Sequence, residues 1–87
     1  MFTVDVTRKA EKSALKMPMH YRIRIQELIK AMADDPVPAE QYDTIQLENR
    51  DHEYRVRIGD IRILYRVFWD LFKVEVYRIE WRGRAYK

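Results

Sequence analysis

Cysteine is absent from the 87 residues, and glycine (two), histidine (two) and proline (three) are scarce. Without cysteine there is no disulfide, no thiolate nucleophile and no thiolate-bound zinc. The two histidines, His20 and His52, lie far apart in the chain, so a histidine-based metal site is poorly supplied. Little Gly and Pro, with 47% hydrophobic residues, excludes disordered, low-complexity and fibrous chains. No apolar run approaches the ~20 residues a membrane span needs. The opening MFTVDVTRKAEK lacks the basic-then-apolar order of a secretory signal. No Gly-rich phosphate loop, paired-carboxylate site or Ser-His-Asp set is recognisable. What remains is one small domain over residues 1–87, expected in the cytoplasm, with no metal or other cofactor.

Charge is unevenly placed. Residues 1–53 hold eight basic and ten acidic side chains, a net of −2. Residues 54–87 hold nine basic and four acidic ones, a net of +5, and seven of the nine are arginine. Arginine suits planar, bidentate phosphate contacts, so a polyanion is the natural partner of this segment.

The elements follow from periodicity. Phe2, Val4 and Val6 alternate with Thr3, Asp5 and Thr7 as in a strand with one buried face. Thr7 is a fitting N-cap for a helix over residues 8–16. Pro18 fits the first turn of a second helix, in which Tyr21, Ile25, Leu28, Ile29 and Met32 form an apolar stripe. Met17, Met19 and Met32 read as core filler. Asp34-Asp35-Pro36 stops that helix. A connection leads to a short strand over residues 44–47. Then Tyr54–Ile58 and Ile61–Phe68 alternate around Gly59-Asp60, a two-residue hairpin turn with Gly supplying a positive φ. Trp69-Asp70-Leu71 joins them to a last strand over residues 72–81. Its alternation slips between Val76 and Ile79, which points to a bulge or a twist. The expected fold is α+β: a small antiparallel sheet in the order β-α-α-(β)-β-β-β, with two N-terminal helices packed on one face.

A two-residue turn fixes the hairpin register. Ile58 pairs with Ile61, Arg57 with Arg62, Val56 with Ile63 and Arg55 with Leu64. The core face takes Tyr54, Val56, Ile58, Ile61, Ile63, Tyr65 and Val67. The other face takes Arg55, Arg57, Arg62, Leu64 and Arg66, and no acidic residue shares it between Tyr54 and Phe68. Like charges directly opposed across a sheet are unfavourable. An uncompensated Arg57/Arg62 pair on an open face is therefore expected to be an anion site, with a solvated sheet face as the plainer alternative. The ending Trp81-Arg82-Gly83-Arg84-Ala85-Tyr86-Lys87 interleaves guanidinium groups with aromatic rings, a pattern suited to RNA. Lys9, Lys12 and Lys16 on the first helix, and Arg22 and Arg24 on the second, are candidates to extend a phosphate-binding surface, with a solvated helix face as the plainer alternative.

The element order, the segment from Tyr54 to Tyr65 and the closing Arg82-Gly-Arg-Ala-Tyr86 resemble the RelE/ParE superfamily of toxins, most closely the archaeal-type RelE-like messenger-RNA interferases. The resemblance spans essentially the whole chain. It implies a toxin of a type II toxin–antitoxin system, a metal-independent endoribonuclease that cleaves messenger RNA in the ribosomal A site. There the 2′-hydroxyl attacks its neighbouring phosphate and translation stops. It implies a RelB-like antitoxin as partner, besides the ribosome and messenger RNA. The catalytic positions of the family match Arg55, Arg57, Arg62, Arg82 and Tyr86, and Arg84 joins the RNA-binding set. Arginine is a poor proton acceptor, so the implied chemistry is charge stabilisation with the ribosome aligning the attack. Two alternatives stand beside it: a ParE-like inhibitor of DNA gyrase, and a non-catalytic RNA- or antitoxin-binding module of the same fold.

Overall fold

Thr7 opens the first helix by accepting the Ala10 amide at 3.2 Å on its hydroxyl. This is seen in the computed structural model, which describes residues 1–82. The chain runs β1 (Thr3–Val6), α1 (Arg8–Leu15), α2 (Met19–Asp34), β2 (Asp43–Gln46), β3 (Glu53–Ile58), β4 (Ile61–Phe68), a 3₁₀ turn (Trp69–Leu71) and β5 (Lys73–Trp81). Pro18 stands just outside α2 as its N-cap, with ψ 152°, one position short of the first turn expected for it. Met19 begins α2 exposed to solvent, so it is not core filler. β5 starts at Lys73 because Phe72 takes a left-handed φ of 51°, which no strand continues.

The five strands form one sheet in the order β1-β5-β4-β3-β2. The meander β2-β3-β4-β5 is antiparallel as expected, but β1 lies parallel to β5, with Thr3 beside Lys73 and Val6 beside Val76. The sheet is therefore mixed. Alternation in β1 gives its buried face and not its direction. Direction is set by the long-range pairing with β5. The α+β class and the helix-covered face stand.

Hairpin register is as the turn dictates, including Arg57 opposite Arg62 and Ile58 opposite Ile61. The bulge lies on β5. Leu64 pairs with Arg78 and the next residue, Tyr65, with Val76, so Tyr77 has no opposite number. Its carbonyl accepts the Thr7 hydroxyl at 3.4 Å, and the Val76 carbonyl accepts the Thr7 amide at 2.9 Å. One threonine thus starts α1 and fastens it to the bulge.

Met17, Tyr21, Ile25, Leu28 and Met32 from the helical layer meet Val56, Ile58, Ile61, Ile63, Tyr65, Val67, Val74, Val76 and Ile79 from the sheet. Tyr54, expected in this face, is half-buried and stacks on Tyr65 at 5.7 Å between centroids. Tyr65 is fully buried and donates its hydroxyl to the Pro36 carbonyl at 2.8 Å, so its polar end is satisfied. That bond also ties down the segment after α2. Burial pushes the Tyr65 hydroxyl pKa well above its ordinary value, with Tyr54 and Asp35 adding to the rise.

Candidate RNA-binding face

The helices occupy one side of the sheet, and the candidate arginines of the strands lie on the other. Its geometry is set first by the β3–β4 turn. Gly59 adopts φ +55°, and a Cβ placed there would sit 2.7 Å from the Tyr21 hydroxyl oxygen. That oxygen accepts the Asp60 amide at 3.1 Å. The Asp60 carbonyl accepts the Arg82 amide at 2.7 Å, and the Tyr21 ring meets Trp81 edge-on at 5.3 Å. One tyrosine of α2 therefore fixes the hairpin tip and, through it, the end of β5. This is how the fold holds Arg57, Arg62 and Arg82 on one framework.

Four consecutive partners cross the open face in register: Asp43 on β2, Arg57 on β3, Arg62 on β4 and Glu80 on β5. The two arginines are neighbours, and each has a carboxylate on its outer side. Asp43 meets both strand-β3 arginines, Oδ2 with Arg57 Nη2 at 2.9 Å and Oδ1 with Arg55 Nη2 at 3.0 Å. Glu80 meets Arg62 Nη2 at 2.5 Å and Arg78 Nε at 3.6 Å. The expectation of an uncompensated arginine pair is thus corrected. No carboxylate comes from 54–68, as read, but the two flanking strands supply them.

Arg55 is only 17% exposed at its side chain, and its Nε has no hydrogen-bond partner. Asp43 therefore matches part of that guanidinium and leaves a buried donor over. Arg57 and Arg62 remain open, with side chains 40% and 44% exposed.

A second cluster lies further along β4. Arg66 meets Glu75 at 3.0 Å and Glu53 at 3.7 Å, and its guanidinium carbon lies 4.0 Å from the centre of the Tyr77 ring. The bulge residue Tyr77 donates its hydroxyl to Glu53 at 2.7 Å. That hydrogen bond, helped by Arg66 and Arg50, holds the Glu53 carboxyl below its ordinary value despite the opposing effect of burial. Burial, reinforced by the same carboxylate, pushes the Tyr77 hydroxyl up. Arg66, Glu53, Glu75 and Tyr77 are thus joined in one cluster, which Arg50 extends through Glu53.

Of the residues expected at the site, the structure brings Arg55, Arg57 and Arg62 together on the open face, with Arg82 at its edge. Tyr86 and Arg84 lie outside the described residues. Lys9, Lys12, Lys16, Arg22 and Arg24 belong to α1, α2 and their junction, the layer on the other side of the sheet. Arg22 is half-buried with an unpartnered Nε, whereas the other four are exposed. Two residues outside the expected set join it: Asp43, which sequence reasoning passed over, and Glu80, which it noted as a nearby carboxylate without a role. Glu80 was visible on the last strand at even spacing from Arg82, but its partner followed only once β4 and β5 were in register. Among the described residues no three of His, Cys, Asp and Glu gather as metal ligands, and no helix is long and apolar enough to cross a membrane.

Comparison with known proteins agrees with the fold. The profile described as the ParE toxin of a type II toxin–antitoxin system matches residues 4–86. A protein named as the toxin RelE1 of Methanocaldococcus jannaschii is 34% identical over 86 residues, which is 99% of this chain and 96% of that protein. The fold superposes on the archaeal RelE–RelB complex from Pyrococcus horikoshii with a TM-score of 0.87 and 30% identity, covering 97% of this chain and 98% of the other. The intact Escherichia coli RelBE toxin–antitoxin complex gives a TM-score of 0.79 over 97% of this chain and all of the other. At 16% identity that last likeness concerns the fold alone.

Proposed function

Because the chain belongs to the RelE/ParE superfamily of type II toxin–antitoxin toxins, we propose that it is a cytoplasmic, ribosome-dependent endoribonuclease that cuts messenger RNA in the A site and so stops translation. The observation that carries this reading is the Arg57/Arg62 pair, opposed across two strands on an uncovered face and joined by Arg55 and Arg82. In the proposed reaction the 2′-oxygen bonds to the adjacent phosphorus and the bond to the 5′-oxygen breaks. The 2′-hydroxyl loses a proton and the leaving 5′-oxygen gains one. Extra negative charge develops on the phosphoryl oxygens in between. Fixed guanidinium groups favour that state over the ground state, which is how such donors accelerate a reaction. Arginine stays protonated and does not exchange protons at neutral pH. The protein's share is charge stabilisation and substrate bending, and alignment comes from the ribosome.

The partner in the resting cell is proposed to be a RelB-like antitoxin, as in the archaeal complex that this fold matches. A segment with acidic and apolar residues fits a face that carries arginine and the exposed Ile45. Primer extension on translating ribosomes tests the activity: new message ends within the A-site codon are expected. The ParE description of the matching profile favours a second reading, gyrase inhibition. A supercoiling assay showing inhibition, with no new message ends, would establish that reading instead.

A further inference from the structure

The two carboxylates in the arginine row have a geometry of their own. Asp43 presents one oxygen to Arg55 and the other to Arg57, at 3.0 and 2.9 Å. A phosphodiester presents its two non-bridging oxygens to a pair of guanidinium groups in the same way. Glu80 repeats the arrangement on the opposite flank, between Arg62 and Arg78. Both carboxylates are partly solvent-exposed, with side chains 45% and 27% accessible. Among the described residues, neither is held by a tyrosine hydroxyl of the kind that fixes Glu53.

We propose that Asp43 and Glu80 are specificity-determining residues: in the free protein they occupy the places that RNA phosphate oxygens take in the bound state. This rests on reading the arginine row as an RNA site and extends it. Each phosphate that enters must displace a carboxylate already seated on the same guanidinium groups. RNA alone gains little from that exchange, because one charge-assisted interaction replaces another. RNA delivered by a second surface, such as the ribosome, brings further interactions that tip the exchange. The carboxylates therefore discriminate against free RNA without removing the arginines that act on the bound message. Their cost to substrate binding is the means of selection.

The test is binding of a single-stranded RNA oligonucleotide to the isolated protein, without ribosomes, over a salt series. Compared are the wild type, Asp43→Asn, Glu80→Gln, their double variant, and a control double variant, Glu27→Gln with Asp70→Asn. The control changes net charge equally at two exposed positions outside the row. The expected result is at least tenfold tighter binding by the Asp43→Asn/Glu80→Gln protein than by the control. Its plot of log affinity against log salt should also steepen by ~0.7 for every further phosphate that the protein neutralises. Circular dichroism checks the fold, and the single variants carry the test if the double one unfolds. Equal affinity of all variants, or equal tightening in the control, would overturn the proposal. The outcome is separable from the proposed activity. Tightened RNA binding with no cleavage on ribosomes would leave this inference standing and remove the endonuclease. Ribosomal cleavage with unchanged RNA binding would do the reverse.

Discussion

Replacing Gly59 with alanine should damage the protein in two ways that can be measured separately. At φ +55° an alanine carries the left-handed penalty of ~1–2 kcal/mol. Its Cβ would also lie 2.7 Å from the Tyr21 hydroxyl, which must move and give up the Asp60 amide. A lost hydrogen bond of this kind costs ~0.5–1.5 kcal/mol. Alanine stiffens the unfolded chain and recovers ~0.4–1 kcal/mol. The net is a destabilisation of about 2 kcal/mol, or a melting temperature lower by ~8–16 °C for a domain of this size. Tyr21→Phe alone should cost about 1 kcal/mol. In the Tyr21→Phe background, Gly59→Ala should cost ~1 kcal/mol less than in the wild type, since the clashing oxygen and its hydrogen bond are already gone. The remaining ring carbons lie 3.2 and 3.4 Å from the added Cβ and can yield. Urea denaturation of the four proteins gives the coupling directly. If Gly59→Ala costs the same in both backgrounds, the turn is not held by Tyr21 and the account of the hairpin is wrong.

Other expectations follow from particular interactions. Tyr65→Phe leaves the Pro36 carbonyl without its donor and should destabilise folding by ~1–3 kcal/mol, read by the same denaturation series. Glu53 has a folded pKa below its unfolded value of about 4.5, so its stabilisation is present above that value and is lost as pH falls through the folded one. Tyr77→Phe removes the largest cause, and the stability of that variant should decline less over this acidic range than that of the wild type. Lys12→Ala alters an exposed side chain on the helical layer, away from the arginine row. It should weaken binding to ribosomes in a salt-dependent way and leave single-turnover cleavage at saturation nearly intact. A toxin that loses cleavage at saturation with this change would move the catalytic site to the helices.

The hairpin was the most legible part of the chain, for a local reason. Two residues, Gly59 and Asp60, set the register of β3 against β4, and alternation then assigned every side chain to a face. The bulge was also visible, because the slip between Val76 and Ile79 breaks a period of two. What stayed hidden were long-range pairings. The direction of β1 depends on its pairing with β5, some 70 residues away in sequence. The carboxylates beside Arg57 and Arg62 belong to β2 and β5, and β2 itself lies one residue earlier than alternation suggested, at Asp43–Gln46. That single-residue shift is what brings Asp43 into the row. A charge count over 54–87 therefore located the arginines and missed their electrostatics. In the folded sheet Arg57 and Arg62 each already have a carboxylate.

In the proposed reaction Arg62 and Arg82 stabilise charge that appears only during cleavage. Single-turnover cleavage of ribosome-bound message at saturating protein, with circular dichroism as folding control, tests that assignment most directly. Arg62→Ala and Arg82→Ala should each cut ~10²–10³-fold more slowly while still binding ribosomes, as expected for loss of one such donor. Cleavage at the wild-type rate by either variant at saturation would contradict the assignment.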